Sequence, residues 1–244
     1  MNRLLPIFIL LITPSIFALE KSICGNDDRI PSNEPKVGRA LRNETATDAC
    51  TVTMISKSCA LSVGHCKKYF NIIEFNTPES DKNGINYSSK EDTYKVDQSS
   101  ITLSDAGPGN DWAVMKILPN ETTQKYAGDV QGFYELDYSV AASKSLISIT
   151  GYGVDTEAER SFAQQNGIGY IESIGRTGLI RHKVDTTGGN SGSSIINLKS
   201  GKIVGVHSHG GCSINHYSNT TNLGTSVSTN ISFNKAIQAC LDSE

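Results

Sequence analysis

The chain has 244 residues, a net charge of −3 from 22 basic and 25 acidic side chains, and 37% hydrophobic residues that include nine Tyr and seven Phe. That composition can build the core of one large or two small β domains and excludes a disordered chain. There is no basic block or aromatic-interleaved basic stripe, so neither nucleic acid nor an anionic membrane is expected as a partner.

Residues 1–18 read as a secretory signal: Asn2 and Arg3 precede an apolar run from Leu4 to Phe17, and small Ala18 offers a cleavage point. The run is short and broken by Pro6, Pro14 and Ser15, which disfavours a membrane anchor, and no later segment suits a bilayer. Six cysteines in an exported chain point to an oxidising compartment and as many as three disulfides. Cys50 and Cys66 bracket two strands, Thr51 to Ile55 and Cys59 to Val63, so a bridge between them would close that hairpin beside His65. Cys24, Cys59, Cys212 and Cys240 remain unassigned.

From Cys50 onward, short β-branched or alternating runs alternate with polar turns: Phe70 to Phe75, Trp112 to Leu118, Leu146 to Thr150, Leu179 to Val184, Ser194 to Leu198 and Ile203 to His207. The pattern predicts an all-β protein. The polar stretch from Glu79 to Gly109 reads as a long surface loop with one or two edge strands. The turn from Asn197 to Lys202 joins two runs at hairpin distance, which places Ser191 in a loop entering a hairpin. Phe233, Ala236, Ile237, Cys240 and Leu241 follow helical spacing, with Ser232 available as a cap, and predict a short C-terminal helix. Asn-x-Ser/Thr sequons occur at Asn43, Asn86, Asn120, Asn219 and Asn230 and matter only in a host that glycosylates.

Three segments carry chemistry. Gly189-Asn190-Ser191-Gly192-Ser193 presents a serine between glycines, Gly64-His65-Cys66 a histidine, and Asn110-Asp111-Trp112 an aspartate. A serine hydroxyl attacks a carbonyl only when an imidazole takes its proton, and a buried carboxylate must hold that imidazole in one tautomer. Ser191 is the candidate nucleophile, His65 the base and Asp111 the orienter. The glycines leave the N–H groups of Gly189 and Ser191 free to converge on an oxyanion. Each segment alone is weak, since such residues also make turns, caps and ordinary core. His207-Ser208-His209 could set two imidazoles on one strand face for zinc, but no third ligand is evident, so neither metal nor cofactor is expected.

In order and context these segments resemble the chymotrypsin-like (trypsin-like) serine peptidases, and among them the secreted bacterial branch similar to glutamyl endopeptidases. Cys50 through Cys66 resembles the family's paired-cysteine segment ending in histidine and cysteine, with Ser62-Val63-Gly64 in place of the usual residues. Asn110 to Val114 resembles the aspartate segment, Thr150 to Gly153 the strand opening the second barrel, and Asp185 to Ser193 the bacterial nucleophile loop. Gly205 to Gly211 resembles the strand lining the specificity pocket, and Cys24 to Arg29 the start of mature relatives. The resemblance implies two antiparallel six-stranded β-barrels with the site in the cleft between them. His65 and Asp111 then belong to residues 19–125, and Ser191 and the C-terminal helix to residues 126–244. Asn190 stands where digestive members carry an aspartate that pairs with a new N-terminus, so the loop must be ordered differently here.

The resemblance also assigns the substrate pocket to Asp185, Thr186, His207, Ser208 and Gly210. His207 with Thr186 resembles the pair that selects glutamate, which implies cleavage after Glu or Asp. Asp185 at the pocket floor would instead attract Lys or Arg. The sequence therefore predicts a secreted monomeric serine endopeptidase acting on proteins or peptides. A non-catalytic binding protein on the same scaffold, or an unrelated disulfide-stapled adhesin, is the rival class, and neither would carry an activated serine.

Overall fold

A computed structural model describes residues 22–212 and 220–244. The expected signal at 1–18 and the Asn219 sequon lie outside the described residues. Strands β2 (Val37–Leu41), β3 (Cys50–Met54), β4 (Cys59–Ser62), β5 (Ile72–Glu74), β6 (Thr93–Asp105) and β7 (Asp111–Ile117) close one antiparallel barrel in the order β2-β3-β4-β7-β6-β5. The second ring runs β8-β9-β10-β13-β12-β11 and back to β8. Its strands are β8 (Leu146–Gly151), β9 (Gln165–Ile174), β10 (Leu179–His182), β11 (Ser194–Asn197), β12 (Lys202–His209) and β13 (Asn222–Ser226). The short β1 (Ile30–Pro31) adds to β9 from outside.

Side-chain alternation accounts for these strands, because successive residues point to opposite faces of the sheet. On β8, Ile147 and Ile149 enter the second core, where Ile171, Ile180, Val184, Ile195 and Val204 meet them. The first core is larger and more aromatic: Phe70, Phe75, Tyr94 and Trp112 pack with Met54, Leu61 and Met115.

Two expectations change. The stretch from Glu79 to Gly109 contains β6, the longest strand of the first barrel, hydrogen-bonded to β5 on one side and β7 on the other. It is not an edge: ring closure leaves none, and only Tyr94 and Val96 of its residues are buried, so its polar sequence faces solvent. The C-terminal helix (Ile231–Leu241) is capped by Asn230, not Ser232, because the Asn230 side-chain oxygen accepts the Phe233 N–H at 2.9 Å. Asn230 is also buried, as is Asn120, whose amide donates to three backbone carbonyls, so neither sequon side chain is presented to solvent.

The chain ends cross between barrels. Cys24 is bonded to Cys212, which pins the N-terminal segment to the second barrel, and Cys59 to Cys240, which pins the C-terminal helix to the first. Cys50 and Cys66 form the bridge expected at the base of the β3–β4 hairpin. These three disulfides use every cysteine in the chain.

Candidate active site

Antiparallel pairing of β4 with β7 sets Ser62 opposite Ala113, so the chain leaving β4 passes over the start of β7. There it turns through a short 3-10 segment from Gly64 to Tyr69, and His65 stands above Asp111. Gly64 is required at this point: a Cβ on it would lie 2.1 Å from the Ser104 carbonyl oxygen. Asp111 is fully buried, and its Oδ1 accepts the Gly64 N–H at 2.6 Å and the His65 N–H at 3.3 Å. Its Oδ2 lies 2.6 Å from His65 Nδ1. That contact fixes the imidazole with Nδ1 protonated and leaves Nε2 as the basic nitrogen.

Ser191 lies in the loop between β10 and β11. The first barrel grips this loop through Thr51, whose N–H donates to the Ser191 carbonyl and whose hydroxyl donates to the Gly189 carbonyl, both at 2.9 Å. His65 and Ser191 line one cavity of about 250 Å³. Gly189 has φ +99, and a Cβ there would lie 2.2 Å from the Tyr152 carbonyl oxygen, so only glycine suits the turn. The Gly188 carbonyl is drawn outward to the Val154 N–H at 2.8 Å. In a planar trans peptide the attached Gly189 N–H points the opposite way. Among the described residues, neither the Gly189 nor the Ser191 N–H donates to a protein acceptor.

Asn190 is buried, and its side-chain oxygen accepts the Thr187 N–H at 3.0 Å. Arg29, from the N-terminal segment, donates to the Thr187 hydroxyl at 2.8 Å and is itself held by Asp27 at 2.7 Å and Asp155 at 3.4 Å. Arg29 and Thr51 escape sequence reading. Arg29 shows only a local Asp27-x-Arg29 charge pairing, and Thr51 carries no signal beyond following Cys50.

The cavity is lined further by His207, Ser208, His209 and Gly210 of β12 and the residue after it, by Thr187 and Gly188, and by Ser22. Asp185 and Thr186, expected in the pocket, do not line it. The Cys24–Cys212 bridge draws the N-terminal segment across them: Ser22 pairs with Thr186, and the Asp185 carboxylate accepts the N–H groups of Cys24 at 2.6 Å and Asp28 at 3.2 Å. Burial raises the Asp185 carboxyl above its ordinary pKa. The Thr186 hydroxyl accepts from the Asn222 amide at 3.1 Å. The described lining therefore contains no carboxylate.

His207 is buried with its Nδ1 3.1 Å from Nε2 of His182, itself fully buried. The Val184 N–H donates to His182 Nδ1 at 3.3 Å, which makes that nitrogen an acceptor and Nε2 the donor. His207 Nδ1 then accepts, and its proton resides on Nε2. Burial lowers His182 to about 3. Burial, then repulsion from His182, holds His207 well below the ordinary histidine value. Alternation could have found His182, since it shares a strand face with Ile180 and Val184.

A trypsin family model matches residues 23–237. Among solved structures, one titled as Glu endopeptidase in complex with MPD superposes with a TM-score of 0.65 at 20% identity, covering 89% of this chain and 98% of that one. A thermostable serine protease from an extremophilic microorganism gives 0.63 at 12% identity, covering 88% and 100%. No curated protein matches the sequence. The two structures share the fold, and the match of the family model across both barrels makes this chain a member of the trypsin family.

Proposed function

We propose that this serine-type endopeptidase is secreted, cleaves peptide bonds after Glu or Asp, and works through Ser191, His65 and Asp111. One observation carries the catalytic reading: an imidazole held by a buried carboxylate at 2.6 Å lines the same cavity as Ser191. Ser191 Oγ attacks the scissile carbonyl carbon while His65 Nε2 takes its proton, and the N–H groups of Gly189 and Ser191 receive the developing oxyanion. The C–N bond then breaks as His65 returns the proton to the leaving amine. A water molecule attacks the acyl ester, loses its proton to His65, and Ser191 regains that proton as the acid product leaves.

Two observations support the acidic preference. Asp185 is committed to the N-terminal segment, which removes the group that would attract Lys or Arg. The tautomer chain from Val184 through His182 leaves the His207 proton on Nε2, and His207 is one of the residues lining the cavity, where a protonated ring nitrogen suits a carboxylate. The Glu endopeptidase neighbour agrees with this preference. Secretion is supported by three disulfides, and among the described residues no helix is long and apolar enough to cross a membrane.

Two measurements test the reading. A fluorophosphonate should label Ser191 covalently, and a binding protein on this scaffold would stay unlabelled. A peptide library with Glu, Asp, Lys and Arg before the scissile bond should be cut after the acidic residues, and cleavage confined to Lys and Arg would overturn the role given to His207.

A further inference from the structure

His209 stands at the end of β12, where the pairing with β13 shifts register between His207 and His209. A bulge at this point re-aims the side chain that follows it. The result is an imidazole about one-third exposed whose ring centroid lies 5.6 Å from that of His65 and whose Nδ1 lies 3.9 Å from Asp111 Oδ2. One ligand atom from each of His65, Asp111 and His209 falls within 4.8 Å of the other two.

We propose that His65, Asp111 and His209 form a site for a divalent transition metal ion, Zn²⁺ above all, and that occupancy switches the peptidase off. Two imidazoles and one carboxylate are a donor set for zinc, copper, nickel or cobalt, whereas calcium and magnesium require oxygen ligands. Metal–ligand bonds of about 2.0–2.2 Å set tetrahedral ligand atoms roughly 3.3–3.6 Å apart. From the observed separations of 2.6 Å at His65 and 3.9 Å at His209, each ring must move by less than about one ångström. Both rings are partly exposed, while Asp111 stays anchored through Oδ1 on two backbone N–H groups. Such an outer contact orients a metal-bound carboxylate.

The Ser208 hydroxyl, now 2.9 Å from His209 Nδ1, lies 3.4 Å from the Leu223 carbonyl and can turn its proton there. A fourth position remains for water. The other geometric grouping, Cys50 with His65 and Cys66, offers no thiolates because those cysteines are bonded to each other. A metal on His65 and Asp111 removes the imidazole from proton transfer. The inhibitory consequence thus rests on the catalytic reading above, whereas the metal site itself does not.

The test separates the two. Zinc chloride titrated into Ser191→Ala protein in a non-chelating buffer should give saturable binding at one site by calorimetry. Cobalt chloride should give the intense visible bands of a tetrahedral centre. Adding His209→Phe or, as a second variant, His209→Gln should weaken binding at least about 10- to 100-fold, the loss that changes beside a metal ligand already produce. In the wild-type chain, zinc should slow fluorophosphonate labelling of Ser191, a chelator should restore it, magnesium and calcium should have no effect, and His209→Phe should label equally with and without zinc. Absence of saturable binding, or binding unchanged by both His209 variants, overturns the metal site. Failure of the metal-free wild-type chain to label overturns the peptidase reading, while zinc binding measured by calorimetry still decides the metal site.

Discussion

In the first barrel, His65 and Asp111 sit at the adjoining ends of two paired strands, braced by the Cys50–Cys66 bridge and by N–H bonds onto a fully buried carboxylate. In the second, Ser191 sits on a loop shaped by Gly189 at φ +99 and tied down from elsewhere, by Thr51 of the opposite barrel and by Arg29 of the N-terminal segment. One half of the site is built into the sheet and the other is held against it. A base must keep one tautomer and one orientation, which strand pairing supplies. An oxyanion site needs convergent N–H groups, which regular strands use up in their own ladders.

The largest effect expected from breaking either half is on turnover. Ser191→Ala should lower kcat by about 10⁶-fold, and Asp111→Asn, acting through the His65 tautomer, by about 10⁴-fold, with both variants folded by circular dichroism. Gly189→Ala probes the loop alone: its Cβ meets the Tyr152 carbonyl, the turn shifts, and loss of an oxyanion donor should lower kcat by about 10²–10³-fold with KM nearly unchanged. Arg29→Ala should misplace the nucleophile loop and lower kcat by about 10²-fold while leaving the His65–Asp111 proton resonance in nuclear magnetic resonance where it was. A shift of that resonance would show that the barrels do not hold their halves independently.

The effect smallest on turnover concerns stability and pH. His182 and His207 stay neutral in the fold, while in the unfolded chain they titrate near 6.5. Below about pH 6.5 the unfolded state binds protons that the native state refuses. Their contribution is therefore complete above that pH and declines as pH falls toward the folded value of His182, about 3. Each contributes up to about 1.4 kcal/mol per pH unit in this window. Urea midpoints measured from pH 7.5 to pH 5 should fall, and fall less steeply in His182→Gln.

Legibility followed locality. The β7, β8, β11 and β12 runs, the terminal helix and the His65, Asp111 and Ser191 segments each show their pattern within a few residues, so sequence reading finds them. Arg39 on β2 does not: it is a fully buried cation, which looks like surface until Glu74 meets it at 2.7 Å from a strand far along the chain. In the same way β6 is polar along most of its length, and its strand character comes from its neighbours.

The order of the chain by itself determined the all-β class, the Cys50–Cys66 hairpin and the three candidate reactive side chains, because alternation, turns and short motifs are local properties. The tertiary structure alone decided that Asp185 serves the N-terminal segment, that His182 backs His207, that Arg29 and Thr51 hold the nucleophile loop, and that His209 faces His65. Each of these joins residues distant in sequence, and a hydrogen-bonding group commits to one partner only after folding has brought that partner within reach and removed the water that competed for it.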